Sequence, residues 1–221
     1  MSHHLSTIGG FVRFFVYGMM GRFYQTISHK NNPMNKRINI LFAFMMLAVG
    51  CLDVEYKNYE FTINPDGGWV GTITYRNIIS RPEEDKDASE IDFQQLINDY
   101  YLGDALVDEN QHLKNIKKEL YIEDGVLVGK MTFTSQSSDS LGFYKDANDE
   151  CSSYFYYDDG FKESLMKTNG EYLGEKRDFP LIRWGGDETR FAFSTASNDN
   201  MDNAVSLVNQ YREWQNKSSK E

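Results

Sequence analysis

The first 50 residues contain five basic residues (Arg13, Arg22, Lys30, Lys36 and Arg37) and no Asp or Glu, an asymmetry that constrains the fold more than any other feature. The 221-residue chain has 23 basic and 33 acidic residues, so residues 51–221 keep 18 and 33, a formal net charge of −15. A basic, acid-free front ahead of an acidic remainder is the pattern of a targeting segment followed by a soluble domain. Only that remainder is then available to build a core, and its length suits one ordinary domain. Its acidity argues against nucleic acid as a partner, because neutralising phosphates needs clustered Lys and Arg, which the remainder lacks.

The boundary itself is legible. Lys36 and Arg37 form a short positive stretch, and Ile38 to Val49 is a 12-residue apolar run interrupted only by Asn39. Spanning a bilayer core takes roughly 20 apolar residues, so this run is too short for a membrane span and suits the core of a signal peptide. Leu47-Ala-Val-Gly-Cys51 follows. That sequence resembles the lipobox of bacterial lipoproteins. The resemblance implies cleavage between Gly50 and Cys51, a thioether-linked diacylglycerol on Cys51, and further acylation, palmitate among the chains. Each buried acyl CH₂ contributes about 0.8 kcal/mol, so two or three chains anchor firmly. Residues 34–50 are then the signal peptide. Residues 1–33 read as an upstream extension, with Met34 as the expected start, since Arg13 and Arg22 spoil the aromatic run from Gly9 to Tyr24 as a membrane span.

Residues 51–216 are expected to form a single α+β domain, and 217–221 a frayed tail. Tyr59–Ile63 and Trp69–Tyr75 alternate apolar and polar residues around Asn64-Pro-Asp-Gly-Gly68, which predicts a hairpin. A second hairpin is predicted for Lys118–Glu123 and Val126–Ser135 about Asp124-Gly125, a third for Tyr154–Tyr157 with Phe161–Met166, and a fourth for Leu181–Trp184 with Arg190–Thr195. Phe93, Leu96, Ile97, Tyr100 and Tyr101 fall at helical spacing after Ser89, which is expected to cap that helix with Asp92 in a capping-box variant. Asn200 is expected to cap a closing helix with Ala204, Val208, Tyr211 and Trp214 on one face. The fold expected is therefore a mainly antiparallel sheet, built from hairpins, with two covering amphipathic helices. Asn64-Pro-Asp-Gly67 followed by Gly71-Thr-Ile-Thr74 is similar to the opening of the LppM-type domain of bacterial lipoproteins. That likeness covers about twenty residues and implies an α+β lipoprotein domain without established enzymatic chemistry.

Catalytic candidates are scarce. His3, His4 and His29 precede the cleavage site, leaving His112 in a polar run as the one histidine a triad could use. Cys151 is read as an unpaired, buried thiol, since its neighbours Asp146, Asp149 and Glu150 would disfavour a thiolate. Asp146–Glu150 fails as a calcium loop, because the positions that need Gly and Glu hold Cys151 and Tyr157. No phosphate-binding or dinucleotide glycine pattern occurs, so no metal and no cofactor is expected. Tyr154, Tyr156, Tyr157 and Trp184 are the candidate binding surface, weighed against ordinary packing of the aromatics that crowd the second half.

These readings predict a membrane-anchored protein of the bacterial cell envelope, its mature domain outside the cytoplasm, with a non-enzymatic module for an unidentified protein, lipid or glycan. The rival expectations are a cell-wall or polysaccharide hydrolase using an acidic pair, and an assembly factor of an envelope complex.

Overall fold

A computed structural model describes residues 51–82, 87–145, 152–157, 163–174 and 181–219. The fold is α+β with mainly antiparallel sheets. Strands β1 (Cys51–Ile63) and β2 (Trp69–Arg81) flank a turn closed by Asn64 N–H donating to the Gly68 carbonyl at 2.7 Å and Gly67 N–H donating to the Asn64 carbonyl at 2.9 Å. Gly67 has φ +83°, a conformation that glycine adopts without the penalty a side chain would incur. Strands β3 (Lys114–Glu123) and β4 (Val126–Ser135) meet at Asp124 and Gly125, both with positive φ (49° and 81°), as a two-residue turn between twisted strands requires.

The larger sheet runs β3-β4-β2-β1-β10-β7, where β7 is Glu163–Thr168 and β10 is Arg190–Ser197. Strand β11 (Val205–Ser206) pairs with β2 at Ser80 and Ile79, beyond the point where β4 leaves it. The change of partner follows Asn77, which has φ 59° and donates through Nδ2 to Glu55 Oε2 at 2.5 Å. The smaller sheet orders β5 (Phe143–Lys145), β6 (Tyr154–Tyr157), β9 (Leu181–Trp184) and β8 (Glu171–Tyr172) as β5-β6-β9-β8.

Two pairings differ from those expected. Strand β6 pairs with β5 and β9, not with β7, and β10 pairs with β1 and β7, not with β9. Gly185-Gly-Asp187 therefore carries the chain from one sheet to the other instead of closing a hairpin, with Glu188 N–H donating to the Gly185 carbonyl at 3.1 Å. The reason is aromatic bulk. Phe143, Tyr156 and Trp184 of the smaller sheet close over Phe61, Trp69, Phe191 and Phe193 of the larger one, and side-by-side hairpins in one sheet could not face these rings against each other. Phe143, 1% exposed, is the hub, with ring centroids 5.1 Å from both Phe61 and Phe191 and 5.2 Å from Trp69.

Helices cover the rest of the core. Helix α1 (Ser89–Gln95) continues into a π-helical stretch, Leu96–Tyr101, followed by α2 (Ala105–Glu109), while α3 (Val208–Ser218) closes the chain. Phe93, Leu96, Ile97, Tyr100, Leu106, Val208 and Tyr211 join Ile73, Tyr75, Ile78, Leu120 and Met131 in one core cluster. The expected caps do not form. Ala88 stands at the N-cap of α1, while Ser89 Oγ accepts from Gln210 Nε2 at 3.0 Å and Asp92 Oδ2 accepts from Ser80 Oγ at 2.5 Å. Asn200 Oδ1 accepts from Asp202 N–H at 2.9 Å in a turn, and α3 begins only at Val208 because β11 intervenes. Tertiary partners thus take Ser89 and Asp92, and a local turn takes Asn200.

Gly71 marks the tightest approach in the core, since a Cβ built there would lie 2.3 Å from the Phe133 ring and 3.1 Å from Phe61. Gly71→Ala is expected to destabilise the fold by about 1–3 kcal/mol through overpacking, measured as a lowered urea midpoint at unchanged slope.

Candidate functional site

Cys51 is the first residue of β1 and stands opposite Arg81 at the end of β2. Leu52, Asp53 and Val54 directly after it are buried. Arg81 reaches Asp53 Oδ2 at 3.4 Å and Asp199 Oδ2 at 2.9 Å, which ties this end of the sheet to the segment before β11. Burial pushes the Asp53 carboxyl upward from its ordinary range, against the pull of the Val54 N–H it accepts and the Arg81 charge. Burial also raises Asp92, although the hydroxyl of Ser80 favours its charged form. Asp92 and Ser80 are both 0% exposed, and Asp92 Oδ1 has no hydrogen-bond partner among the described residues.

The aromatic candidates are placed differently from a surface. Tyr156 and Trp184 are 5% and 3% exposed, with the Tyr156 ring tilted against Phe193 at 4.5 Å and Trp184 Nε1 donating to Asn169 Oδ1 at 2.8 Å. Tyr154 is half-buried edge-on to Trp69 and Phe191, at 5.8 and 5.1 Å. Tyr154 and Tyr156 lie two apart on β6 and share its inward face, and Trp184 of β9 packs into the same core. Of Tyr157 only its strand position in β6 is described. His112 is exposed between α2 and β3, and burial by its neighbours lowers its basicity. Cys151 and the Asp146–Glu150 run lie outside the described residues. Among the described residues no group of His, Cys, Asp or Glu could hold a metal ion, and no helix is long and apolar enough to cross a membrane.

The described residues also form a cleft of about 680 Å³ over β1, β10 and the end of β7. Tyr59, Phe61, Phe191 and Phe193 point into the core, so the alternate residues Asn58, Glu60, Thr62, Arg190, Ala192 and Ser194 form the outer wall. Register sets Thr62 beside Arg190, Glu60 beside Ala192 and Asn58 beside Ser194, while Lys167 of β7 stands beside Ser194 on its other side. Glu188 lines the rim, and its Oε1 accepts from the N–H groups of Thr189 and Arg190, both at 3.1 Å. Glu60, Lys167 and Arg190 make none of the ion pairs found among the described residues.

Lys167 reaches that wall through a bulge. Ser194 opposes Lys167 and Thr195 opposes Leu165, so Met166 is an extra residue, and it is 61% exposed. Without it, strict alternation would put Lys167 on the same inward face as Glu163 and Leu165. Glu163 is held on that inner face by the Lys57 ammonium and by Thr195 Oγ1, which donates to Glu163 Oε2 at 2.5 Å. The side chains of Lys57 and Glu163 are 7% and 10% exposed. A buried pair of this kind fixes register because either charge left alone would be strongly penalised. Sequence reasoning missed the arrangement. Glu163-Ser-Leu-Met-Lys-Thr168 carries no glycine to advertise a bulge, and the next inward residues of β1 after Lys57 are the aromatics Tyr59 and Phe61.

Comparison with family models, with curated proteins and with solved structures gives no match, so function rests on the site alone.

Lys57→Met or Glu163→Leu alone is expected to lose about 3–5 kcal/mol, whereas the double substitution loses far less, read from urea unfolding of the four proteins. For Asp92 the folded pKa lies above the unfolded one. Its contribution is therefore fully present below the unfolded value and lost as pH rises through the folded value. Asp92→Asn should match or exceed the native protein in stability at neutral pH and flatten the gain that the native protein shows on acidification.

Proposed function

We propose that this chain is a bacterial envelope lipoprotein, anchored through acylated Cys51, whose α+β domain is a non-enzymatic binding module using the cleft over β1, β10 and β7. The observation that carries the reading is that the lipobox cysteine and the first residue of the sheet are the same residue. The anchor then joins the domain with no linker, and the strand that leaves the bilayer surface is the one that builds the cleft. The cleft's β1 residues, Asn58 to Thr62, follow Cys51 by seven to eleven positions, about 23–36 Å along an extended strand. The hairpin-built sheet with its amphipathic helices serves as a rigid stand for that surface.

What lines the cleft supports the non-enzymatic reading. Of its two carboxylates, Glu60 and Glu188, the second is engaged as an acceptor by its own loop, and neither Asp53 nor Asp92, the carboxyls that burial raises, lines it. A binding role needs only polar groups held in a fixed array, and β-sheet side chains provide that.

Growth of an expressing bacterium with an alkyne analogue of palmitate tests the anchor. The native protein should take up label and sediment with membranes, whereas Cys51→Ser should take up none and keep the mass of an uncleaved precursor. Equal labelling of the two proteins would contradict the proposal.

A further inference from the structure

We infer that the cleft over β1, β10 and β7 takes an acidic oligosaccharide, with Lys167 and Arg190 binding its carboxylates and Glu60 accepting its hydroxyls. This rests on the binding-module reading above and specifies its ligand. The two cations are set by register at opposite ends of the outer face, Lys167 beside Ser194 and Arg190 four residues earlier on β10. That separation is about 13 Å along the strand, the reach of two to three sugar rings. Among the described residues neither cation makes an ion pair, although residues 51–221 hold nearly twice as many acidic as basic residues. One of the two is turned outward only by the Met166 bulge, a device that re-aims a side chain.

The middle of the cleft demands a different chemistry from its ends. Glu60 is exposed beside the small Ala192, with Asn58 and Thr62 to either side on β1. A carboxylate there repels a continuous polyanion and accepts hydrogen bonds from hydroxyls, so the fitting ligand carries separated negative groups with hydroxyls between them. Sugar acids have that pattern. An acidic peptide fits less well. The cleft lies on the face of the sheet, where main-chain groups of β1 and β10 are already paired along the register, so strand addition is not available. Nor is there an exposed aromatic anchor, since Tyr59, Phe61, Phe191 and Phe193 are all buried.

The test is calorimetric titration of the full chain, purified in a neutral detergent at low ionic strength, with trigalacturonate, chitotriose and triglutamate. Trigalacturonate should bind best and weaken with added salt. Lys167→Gln and Arg190→Gln, both at exposed positions, should each weaken it by about tenfold or more. Equal binding of chitotriose, tighter binding of triglutamate, no heat from any probe, or binding indifferent to both substitutions would each overturn the inference. Those results leave palmitate labelling at Cys51 as a separate matter. Shortening of trigalacturonate in the same sample, with both substitutions still weakening its binding, would support the site while contradicting the non-enzymatic reading.

Discussion

Strand β1 is the constraint on which the rest depends. It is paired along nearly its whole length, with β2 from Cys51–Arg81 to Ile63–Trp69 on one side and with β10 from Tyr56–Ala196 to Thr62–Arg190 on the other. A one-residue slip would exchange its faces. Tyr59 and Phe61 would turn to water, Lys57 would lose Glu163, and Asn58, Glu60 and Thr62 would turn into the aromatic layer. The turn at Asn64–Gly68 and the Gly71–Phe133 contact both resist that slip, one by fixing the hairpin register and the other by leaving no room for displaced rings.

The buried Lys57–Glu163 pair extends the same logic to β7. Replacing such a pair by apolar residues often does not weaken a protein, so its value here lies in specificity more than in stability. It selects which residues of a short strand face inward, and with Glu163 fixed, the Met166 bulge decides where Lys167 points. The core and the cleft are therefore two faces of one register. Aromatic bulk inside and an ordered polar array outside come from alternate residues of the same strands.

Much of this was legible in the chain. Alternation around Asn64-Pro-Asp-Gly-Gly68 and Asp124-Gly125 located β1–β2 and β3–β4, because turn chemistry and period agree there. The aromatic crowding after Tyr154 signalled bulk without direction. Period alone cannot tell which sheet a strand joins, so the alternation places β6 and β9 in separate hairpins, whereas they pair with each other. The cleft was illegible for a similar reason. Asn58, Lys167 and Arg190 are ordinary polar residues until long-range pairing brings them to one face, and no glycine marks the bulge at Met166. Capping patterns name the residue types but not their partners, and Ser89, Asp92 and Asn200 bond to Gln210, Ser80 and Asp202 instead.

Cys51 follows the 50-residue stretch without Asp or Glu and is the first residue of β1. Peptide mass spectrometry of the mature N-terminus from a bacterial membrane fraction tests that junction most directly. The account predicts a first peptide starting at Cys51 and carrying a diacylglyceryl thioether, with or without an amide-linked acyl chain. An unmodified peptide that reads through Gly50-Cys51 from Met34 or Met1 in the membrane-bound protein would contradict it.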